Sequence, residues 1–328
     1  MKQSYRTIYF IIAMALVSSL ALGACAGTSQ QKAYTIGVVN LSPSFESILE
    51  GFKVGMEAEG FKEGENVTYL YDGPAANPDA LDGILQNYKD KKVDLVLTFG
   101  TTATLKAKQV LEGTDIPVIF GPVTDPVGSG IVTNLLTPGG NMTGIRTGNP
   151  ASKRLEWLTA IAPNAQNIYV FNNPSDNSSV QGLEALKETA PQLNVELQVY
   201  DASKPEEIDA GLRAIPEDAD AIFVLASAFL EAQIGKFVDA AAQNKLPLSM
   251  PATDNVRAGA LTSFGQDNIP LGEQASRLAV QILRGVKPAD LPVETAELFM
   301  AINLKTARII SLNIPNGLIR QADVVVRQ

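Results

Sequence analysis

The chain has 328 residues, of which 45% are hydrophobic and 19% are charged, the composition of a globular protein with room for one large or two medium domains. Its formal net charge is −9 and it contains no block of lysine or arginine, so we expect no nucleic-acid partner. Histidine is absent, which excludes His-dependent triads, His-rich zinc sites and most general-base schemes at neutral pH. We expect neither a metal nor a cofactor.

The amino-terminal segment has the pattern of a signal peptide. Basic residues precede an apolar or small stretch from Ile8 to Leu22, which at about fifteen residues is shorter than the roughly 20 that span a bilayer. It ends in "LGAC" (22–25), which resembles the lipobox of bacterial lipoproteins and contains the only cysteine of the chain. We expect that residues 1–24 are removed, that Cys25 is lipidated and that residues 25–33 form a polar tether. An ordinary cleavage site near Cys25 is the alternative.

From Thr35 onward, short apolar runs rich in β-branched or aromatic residues alternate with amphipathic helical patterns, which is typical of buried parallel strands and the helices that cover them. The alternation predicts the α/β class, with doubly wound parallel sheets and right-handed crossovers. The predicted strands lie at 35–40, 67–72, 94–100, 116–121, 167–172, 195–201, 220–227 and 246–251. The predicted helices lie at 45–59, 78–90, 102–111, 152–161, 180–189, 206–214, 229–243 and 271–284.

The predicted strands form two sets that resemble each other. "NIYVFN" (167–172) repeats "TIGVVN" (35–40), and Asp220 has the place in the second set that Asp94 has in the first. The repeat predicts two similar α/β lobes, each of ordinary domain size.

The loops that follow the strands collect polar and aromatic residues where open parallel sheets bind ligands, outside the carboxyl ends of the strands. Hydroxyl and free N–H groups at a helix start can bind a carboxylate, although the same residues are also common helix caps. Phe45 and Phe229 could stack on a ligand, and Arg146 and Arg257 could clamp a carboxylate. The candidate ligand-binding residues are Ser42, Phe45, Thr101, Thr102, Thr124, Asp125, Arg146, Ser175, Asp176, Ser178, Ser227, Phe229 and Asp254.

The loop "FGPVTDPVGSG" (120–130) has the glycines of a phosphate-binding loop but lacks its motifs. Neither G-x-G-x-x-G nor G-x-x-x-x-G-K-[ST] occurs there, so we do not expect nucleotide binding. Its Thr124-Asp125 pair recurs as Thr253-Asp254 at the matching place of the second set. Two interpretations stay open: these residues touch a ligand, or they hold the turn.

Eight strings between Thr35 and Ile314 carry a family resemblance: "GFKVGMEAEGFKEGENV", "VDLVLTFGTTAT", "IPVIFGPVTDPVGSGIV", "GGNMTGI", "NPSDNSS", "KLPLSMPATDNVRAGAL", "LGEQASRLAVQILRGVKPADLPVE" and "AINLKTARIISLNIP". Together they resemble the bacterial ABC-transporter substrate-binding lipoproteins of the tryptophan-binding-like group. The resemblance implies the type I periplasmic-binding fold, in which two lobes joined by three crossovers close on a ligand like a hinge. It implies a first lobe of residues 34–147 plus 268–291, and a second lobe of residues 148–267 plus 292–328.

The resemblance also implies a function. The protein would be a monomeric, lipid-anchored extracytoplasmic receptor that binds a small solute, expected to be an amino acid, and delivers it to an ABC permease. The chain departs from the family where relatives often show Thr-Asp-Asn, because Ser227, Ala228 and Phe229 stand there. A ligand amine must then find Asp254 or Asp176, or the ligand is less polar. By position, the residues that match polar cleft positions of the family are Thr101, Thr124, Asp125, Ser175, Ser178 and Asp254.

Two other functions remain open from the sequence. One is a ligand-sensing subunit of a membrane sensor, which would bind a solute in the same way. The other is an exported hydrolase with paired carboxylates, against which the absence of histidine and of a recognisable nucleophile motif argues.

Overall fold

The computed structural model describes residues 32–327, so the predicted signal peptide and Cys25 lie outside the described residues. Two mainly parallel β-sheets with alternating helices form this part of the chain, which confirms the predicted α/β class with doubly wound sheets. Between residues 32 and 327, no helix is both long enough and apolar enough to cross a membrane.

The first sheet has six strands, all parallel to their neighbours. They are β1 (Tyr34–Val39), β2 (Val67–Leu70), β3 (Leu95–Thr98), β4 (Val118–Val123), β5 (Met142–Arg146) and β11 (Glu294–Thr295). Their order across the sheet is β11-β5-β4-β3-β1-β2.

The second sheet has seven strands. They are β6 (Asn167–Asn172), β7 (Glu196–Asp201), β8 (Ala221–Val224), β9 (Leu248–Ser249), β10 (Thr262–Gly265), β12 (Phe299–Asn303) and β13 (Val324–Val326). Their order is β13-β12-β10-β9-β8-β6-β7. The order β2-β1-β3-β4-β5 of the first sheet therefore returns as β7-β6-β8-β9-β10, which is the structural counterpart of the sequence repeat.

The carboxyl-terminal strands depart from this repeat. β12 runs antiparallel to β10, and β13 pairs with β12. β11 instead joins the first sheet, where Glu294 and Thr295 pair with Ile145 and Arg146. From the sequence we assigned residues 292–328 to the second lobe, and this pairing corrects the assignment locally, because the chain leaves the first sheet only after Thr295. The sequence did not predict β5, β10, β11, β12 or β13.

The predicted helices are present with shifted ends, except that 229–243 forms two helices. The helices are α1 (Glu46–Ala58), α2 (Ala80–Lys91), α3 (Thr101–Leu111), α4 (Ala151–Ile161), α5 (Asn177–Leu193), α6 (Pro205–Arg213), α7 (Ala228–Glu231), α8 (Ile234–Asn244), α9 (Thr253–Arg257), α10 (Asn268–Leu283), α11 (Leu304–Ile309) and α12 (Asn316–Ile319), with 3₁₀ turns at Pro43–Phe45 and Pro288–Asp290.

Each sheet is buried on both faces, as expected for parallel strands covered by helices. In β1, Ile36 and Val38 pack into one apolar core while Val39 packs into the core on the opposite face. In β8, Ile222 and Val224 face one core of the second sheet, and Phe223 faces the other. Apolar side chains on both faces of these two strands therefore fix the sheets between two helical layers.

Asp94 and Asp220, which have matching places in the two sets of strands, each accept a hydrogen bond from the first residues of a strand. The Thr35 N–H donates to Asp94 Oδ2 (2.8 Å), and the Asn167 N–H donates to Asp220 Oδ2 (2.9 Å). These acids are structural in both sheets, because each satisfies a backbone donor at the amino end of a strand.

The chain passes between the sheets three times. It crosses after β5, again between β10 and α10, and finally between β11 and β12. Helix α10 returns to the first sheet, where it packs against α1, β4 and β5. The first and third crossings leave the carboxyl ends of β5 and β11, and the second crossing enters the start of α10. The connections therefore lie next to the space between the sheets.

Candidate functional site

A cavity lies between the two sheets, where the carboxyl ends of their strands face each other. Its volume is about 610 Å³ when the open space at its mouth is included. Small-molecule sites form at such positions in α/β proteins. We call Phe45, Gly100, Thr101, Pro122 and Thr124, from the first sheet, the neutral wall. We call Arg154, Asp176, Ser178, Leu225, Ser227, Ala228 and Glu231, from the second sheet, the charged wall.

Phe45 is the aromatic side chain of the neutral wall. It ends the 3₁₀ turn that Ser42 caps by accepting a hydrogen bond from the Ser44 N–H (3.2 Å). A Cβ atom at Gly100 would come within 3.3 Å of the Phe45 ring, and Gly100 has a φ of +86°. Glycine at this position therefore permits both the turn from β3 into α3 and the close approach of the ring.

Two hydrogen bonds join the walls where α3 meets the start of α5. Thr101 Oγ1 lies 2.7 Å from Ser178 Oγ, and Thr102 Oγ1 donates to Asp176 Oδ2 at 3.2 Å. Asp176 also caps α5, since its Oδ1 accepts from the Ser178 N–H at 3.0 Å. Burial raises the pKa of Asp176, and these hydrogen bonds partly offset that effect.

Two further hydrogen bonds join the sheets on the opposite side of the cavity. Ser44 Oγ donates to the main-chain oxygen of Glu231 (2.9 Å), and Ser47 Oγ donates to Asp254 Oδ1 (3.3 Å). With both sides bridged, the structure holds the cavity closed.

Arg154 is the cation of the charged wall. It lies on α4 with only 2% of its surface exposed. Its Nη2 donates to the Val224 carbonyl at the end of β8 (2.6 Å), and its guanidinium lies 4.1 Å from the centroid of the Phe223 ring. Within residues 32–327, Nε has no hydrogen-bond partner. Burial lowers the pKa of Arg154 to about 9, and the carboxyl group of Glu231 opposes this shift.

Glu231 is the acid of the charged wall whose carboxyl group makes the fewest hydrogen bonds. It ends the short helix α7 and is 3% exposed. Its Oε2 finds no hydrogen-bond partner in the described part of the chain. Burial raises the pKa of Glu231 to about 8, Arg154 lowers it, and Asp176 and Asp254 raise it further. The Asp176 carboxylate is engaged by its cap and by Thr102, so Glu231 is the wall acid with an unsatisfied oxygen.

The structure brings about half of the predicted site residues to this cavity. Their side chains come from strand-to-helix junctions of both sheets, as the sequence predicted. They are Phe45, Thr101, Thr124, Asp176, Ser178 and Ser227.

The two matched Thr-Asp loops differ in what their acids do. Asp125 Oδ1 accepts from the N–H groups of Val127 (3.1 Å) and Gly128 (2.9 Å), so the acid holds its own turn. Asp254 Oδ2 accepts from the Asn268 N–H (3.1 Å) at the start of α10. Neither acid is part of the cavity lining, and both carboxylates already have donors.

The two arginines suggested by the sequence also form their hydrogen bonds and ion pairs away from the cavity. Arg146 Nε donates to Thr295 Oγ1 (3.2 Å), beside β11. Arg257 forms an ion pair with Asp267 and lies 3.5 Å from Asp254. Four remaining candidates lie outside the cavity lining: Ser42 as a cap, Thr102 and Ser175 on the outer surface between α3 and α5, and the half-buried Phe229 in the core of the second sheet.

The sequence analysis missed Arg154 and Glu231, the two buried ionisable residues of the charged wall that have an unsatisfied polar atom. Arg154 falls on the apolar stripe of α4, in helical register with Ala151, Leu155 and Leu158. A basic residue on such a stripe was the available signal, because a charge on the buried face of a helix needs a partner. Glu231 gave a similar signal inside the apolar run that begins at Ala228.

The side chains described for residues 32–327 include no group of three or more acids or cysteines placed to hold a metal ion. The chemistry that the cavity offers is therefore that of its hydroxyls, its buried charges and its aromatic ring.

The amino-acid sequence matches, over residues 35–326, a family model described as ABC transporter substrate binding protein. The chain belongs to this family. The resemblance stated from the sequence is thereby confirmed. A tyrosine-binding protein of Clostridioides difficile (strain R20291) is 28% identical to this substrate-binding protein over 272 residues, which cover 82% of this chain and 78% of that protein.

Two solved relatives, one with a bound ligand and one without, can be compared with this chain in shape. A crystal structure of the ABC domain in complex with L-Trp from Streptococcus pneumoniae has a TM-score of 0.83 at 28% identity and covers 90% of this chain and 100% of that one. The ligand-free, open structure of a substrate-binding protein with adhesive properties from Clostridium difficile has a TM-score of 0.65 at 26% identity, with the same coverage of 90% and 100%. At nearly equal identity, this substrate-binding protein is closer in shape to the L-Trp complex, in agreement with its bridged cavity.

Proposed function

We propose that this substrate-binding protein is the extracytoplasmic receptor of an ABC importer and that it binds a free amino acid with an aromatic or apolar side chain. Membership of the family supports binding and release of a solute without chemical change. The relatives named for tyrosine and for L-Trp support an amino acid as the ligand class.

The observation that carries this proposal is the composition of the cavity. Its charged wall presents a buried guanidinium and a buried carboxyl group, and its neutral wall presents the Phe45 ring and hydroxyl groups. A free amino acid carries both charges at one end and an apolar group at the other, so it matches the two walls in both respects. A sugar or polyol offers no charged group to the buried Arg154 and Glu231 side chains.

Closure is the step that couples binding to transport. One lobe would comprise residues 34–147 with 268–295, and the other the remaining residues after the tether. A ligand that contacts both walls stabilises the closed form, because it interacts with both walls only when they meet. The permease would then receive the closed, loaded receptor.

The membrane anchor is part of the same proposal. Lipidation at Cys25 would hold the receptor at the outer face of the membrane, and the tether of residues 25–33 would let a monomer reach the permease. Restricting the receptor to the membrane surface raises its effective concentration at the transporter.

Thermal unfolding of the purified protein against the twenty amino acids tests the ligand class. A ligand at 100 times its Kd adds about 2.7 kcal/mol to the free energy of unfolding, which gives a clear rise in Tm. We expect the largest rises with tyrosine, tryptophan or phenylalanine, and none with myo-inositol as an uncharged control. A rise with the polyol and none with any amino acid would contradict the proposed ligand class.

Uptake by intact cells tests the importer. Cells that lack this chain should lose high-affinity uptake of the labelled amino acid, and the wild-type gene should restore it. Substitution of Cys25 by Ser should reduce uptake although the purified protein binds normally. Unchanged uptake in the deletion strain would contradict a role in import.

A further inference from the structure

The charged wall contains two buried ionisable side chains, each with a polar atom that the protein leaves without a hydrogen bond. Among residues 32–327, Arg154 Nε and Glu231 Oε2 have no hydrogen-bond partner, and the two side chains are 2% and 3% exposed. Buried polar atoms are nearly always hydrogen-bonded, because leaving one unsatisfied costs free energy. Both side chains line the cavity, so an occupant of the cavity lies against both.

The geometry points to Glu231 as the side chain that binds the ammonium group of the ligand, with Arg154 as the partner of the ligand carboxylate. This assignment rests on the proposed function and defines the substrate class more narrowly. The ligand must carry a free amine and a free carboxylate on neighbouring atoms, so the site recognises an unmodified α-amino acid and excludes N-acylated and amidated forms.

Glu231 is favoured over the two acids that the sequence suggested. Asp176 caps α5 and accepts a hydrogen bond from Thr102, so its oxygens are engaged. Asp254 accepts from Ser47 and from the Asn268 N–H, and it is outside the cavity lining. Glu231 alone among these three combines a place in the lining with an unsatisfied oxygen.

Arg154 is held in a fixed position for its role. The Val224 carbonyl accepts a hydrogen bond from Arg154 Nη2 (2.6 Å), and the guanidinium packs over the Phe223 ring. A guanidinium fixed in this way presents its remaining donors in one direction, which suits a carboxylate. Arg154 and Glu231 also act on each other's pKa, and both line the same cavity, so one ligand can contact both.

The same assignment predicts that binding releases a proton. Arg154 on α4 favours the ionised form of Glu231, whereas Asp176 at the start of α5 and Asp254 on α9 oppose it. With a pKa of about 8, Glu231 is mainly protonated at neutral pH in the ligand-free protein. An ammonium group favours the ionised carboxylate and so displaces that proton, and affinity should rise by up to about tenfold per pH unit between pH 6 and 8.

Titration calorimetry on the purified wild-type protein and the E231Q variant tests the assignment. The probes are L-tyrosine and L-tryptophan with their des-amino analogues, 3-(4-hydroxyphenyl)propanoate and indole-3-propanoate. For the wild type, loss of the amine should weaken binding of the better ligand by at least about tenfold, the cost of one hydrogen bond to a charged group. For E231Q the same loss should cost less than threefold, and the rise of affinity with pH should disappear.

The E231Q protein should fold, because glutamine resembles the protonated carboxyl group that the ligand-free site holds at neutral pH. E217Q, at an exposed position on the α6–β8 loop, is the matched control and should behave as wild type. Equal losses of affinity on removing the amine in wild type and E231Q would overturn the role of Glu231 and leave the proposed function standing. A wild type that binds no amino acid at all would instead contradict the proposed function itself.

Tyramine and L-tyrosinamide test Arg154 without a variant. Both keep the amine and lack the carboxylate, so both should bind at least about tenfold more weakly than L-tyrosine. Equal binding of L-tyrosine and tyramine would overturn the role of Arg154.

Discussion

The two walls of the cavity come from sheets of the same strand order, yet they differ in chemistry. The neutral wall offers hydroxyl groups and the Phe45 ring, whereas the charged wall offers Arg154, Asp176 and Glu231. Both walls are strand-to-helix junctions, so the repeat explains their position but not their charge. The difference teaches that a repeated scaffold can carry different chemistry, and under the proposed function the charged wall would recognise the charged groups of the ligand while the neutral wall covers it.

This asymmetry suggests how the ligand is bound. Arg154 and Glu231 lie on α4 and α7, two helices on the same side of the cavity as the second sheet. The charged wall therefore presents both groups without any residue of the neutral wall. A ligand can therefore dock on the charged wall first, and the neutral wall then closes over its apolar part. Hydrogen bonds such as those of Thr101 and Ser44 would then hold the two walls together.

The largest expected effect follows from removing the cation of the charged wall. We expect Arg154→Met to weaken amino-acid binding by about 100-fold, since two charge-assisted hydrogen bonds are lost. The variant should fold, because burial already disfavours the charged guanidinium and lowers its pKa to about 9. Titration calorimetry measures the loss, with the exposed Arg213→Met as control. Affinity within threefold of wild type would show that the cation is structural.

The next effect concerns the aromatic ring of the neutral wall. We expect Phe45→Leu to weaken binding of L-tryptophan or L-tyrosine by about tenfold and that of L-leucine much less, because aromatic pairs gain up to about 1.5 kcal/mol beyond burial. Phe61→Leu, in the same core but away from the cavity, is the control for lost packing. Equal losses for aromatic and aliphatic ligands would indicate that the ring does not contact the ligand side chain.

The charged wall should also govern how stability depends on pH. The pKa of Glu231 is about 8 in the folded protein against an ordinary value of 4.5, so between these values the folded state keeps a proton that the unfolded state has lost. Stability of the ligand-free protein should therefore fall as pH rises from 5 to 8, by at most about 1.4 kcal/mol per unit from this group. Urea unfolding of wild type and E231Q at several pH values measures the difference. Parallel curves for the two proteins would contradict the assigned pKa.

The smallest effect is expected for a hydrogen bond between the walls. Thr101→Val removes the hydroxyl that lies 2.7 Å from Ser178 Oγ. We expect affinity to fall by about two- to tenfold, corresponding to about 0.5–1.5 kcal/mol, with more of the open form in small-angle scattering. The exposed Thr68→Val on β2 is the matched control. An unchanged affinity would show that this bond does not contribute to closure.

The sequence predicted the sheets well because their strands carry a strong local signal. Runs such as 35–40 and 167–172 are apolar on both faces, and this pattern belongs to buried parallel strands. The short strands at 294–295 and 324–326 carry no such signal, since two or three residues show no period and their pairing depends on distant strands. For the same reason the return of Thr295 to the first sheet could not be inferred from the sequence.

The site was only half predictable, for a different physical reason. Polar residues after strands identify the right edge of each sheet, and Thr101, Thr124 and Ser178 lie there as expected. A repeated residue, however, can have a structural role as readily as a functional one. Asp125 stabilises its own turn, and Asp254 accepts a hydrogen bond from the Asn268 N–H at the start of α10. The decisive charges come from helix positions whose depth in the fold is set by tertiary packing.

A crystal structure of the protein with its tightest-binding amino acid tests the central claim most directly. We predict that the ligand carboxylate lies within hydrogen-bond distance of Arg154, that its ammonium group lies within hydrogen-bond distance of Glu231, and that its side chain lies against Phe45. A ligand bound in the reverse orientation, with its charged end on the neutral wall and its side chain on Arg154, would contradict the division of labour between the two walls.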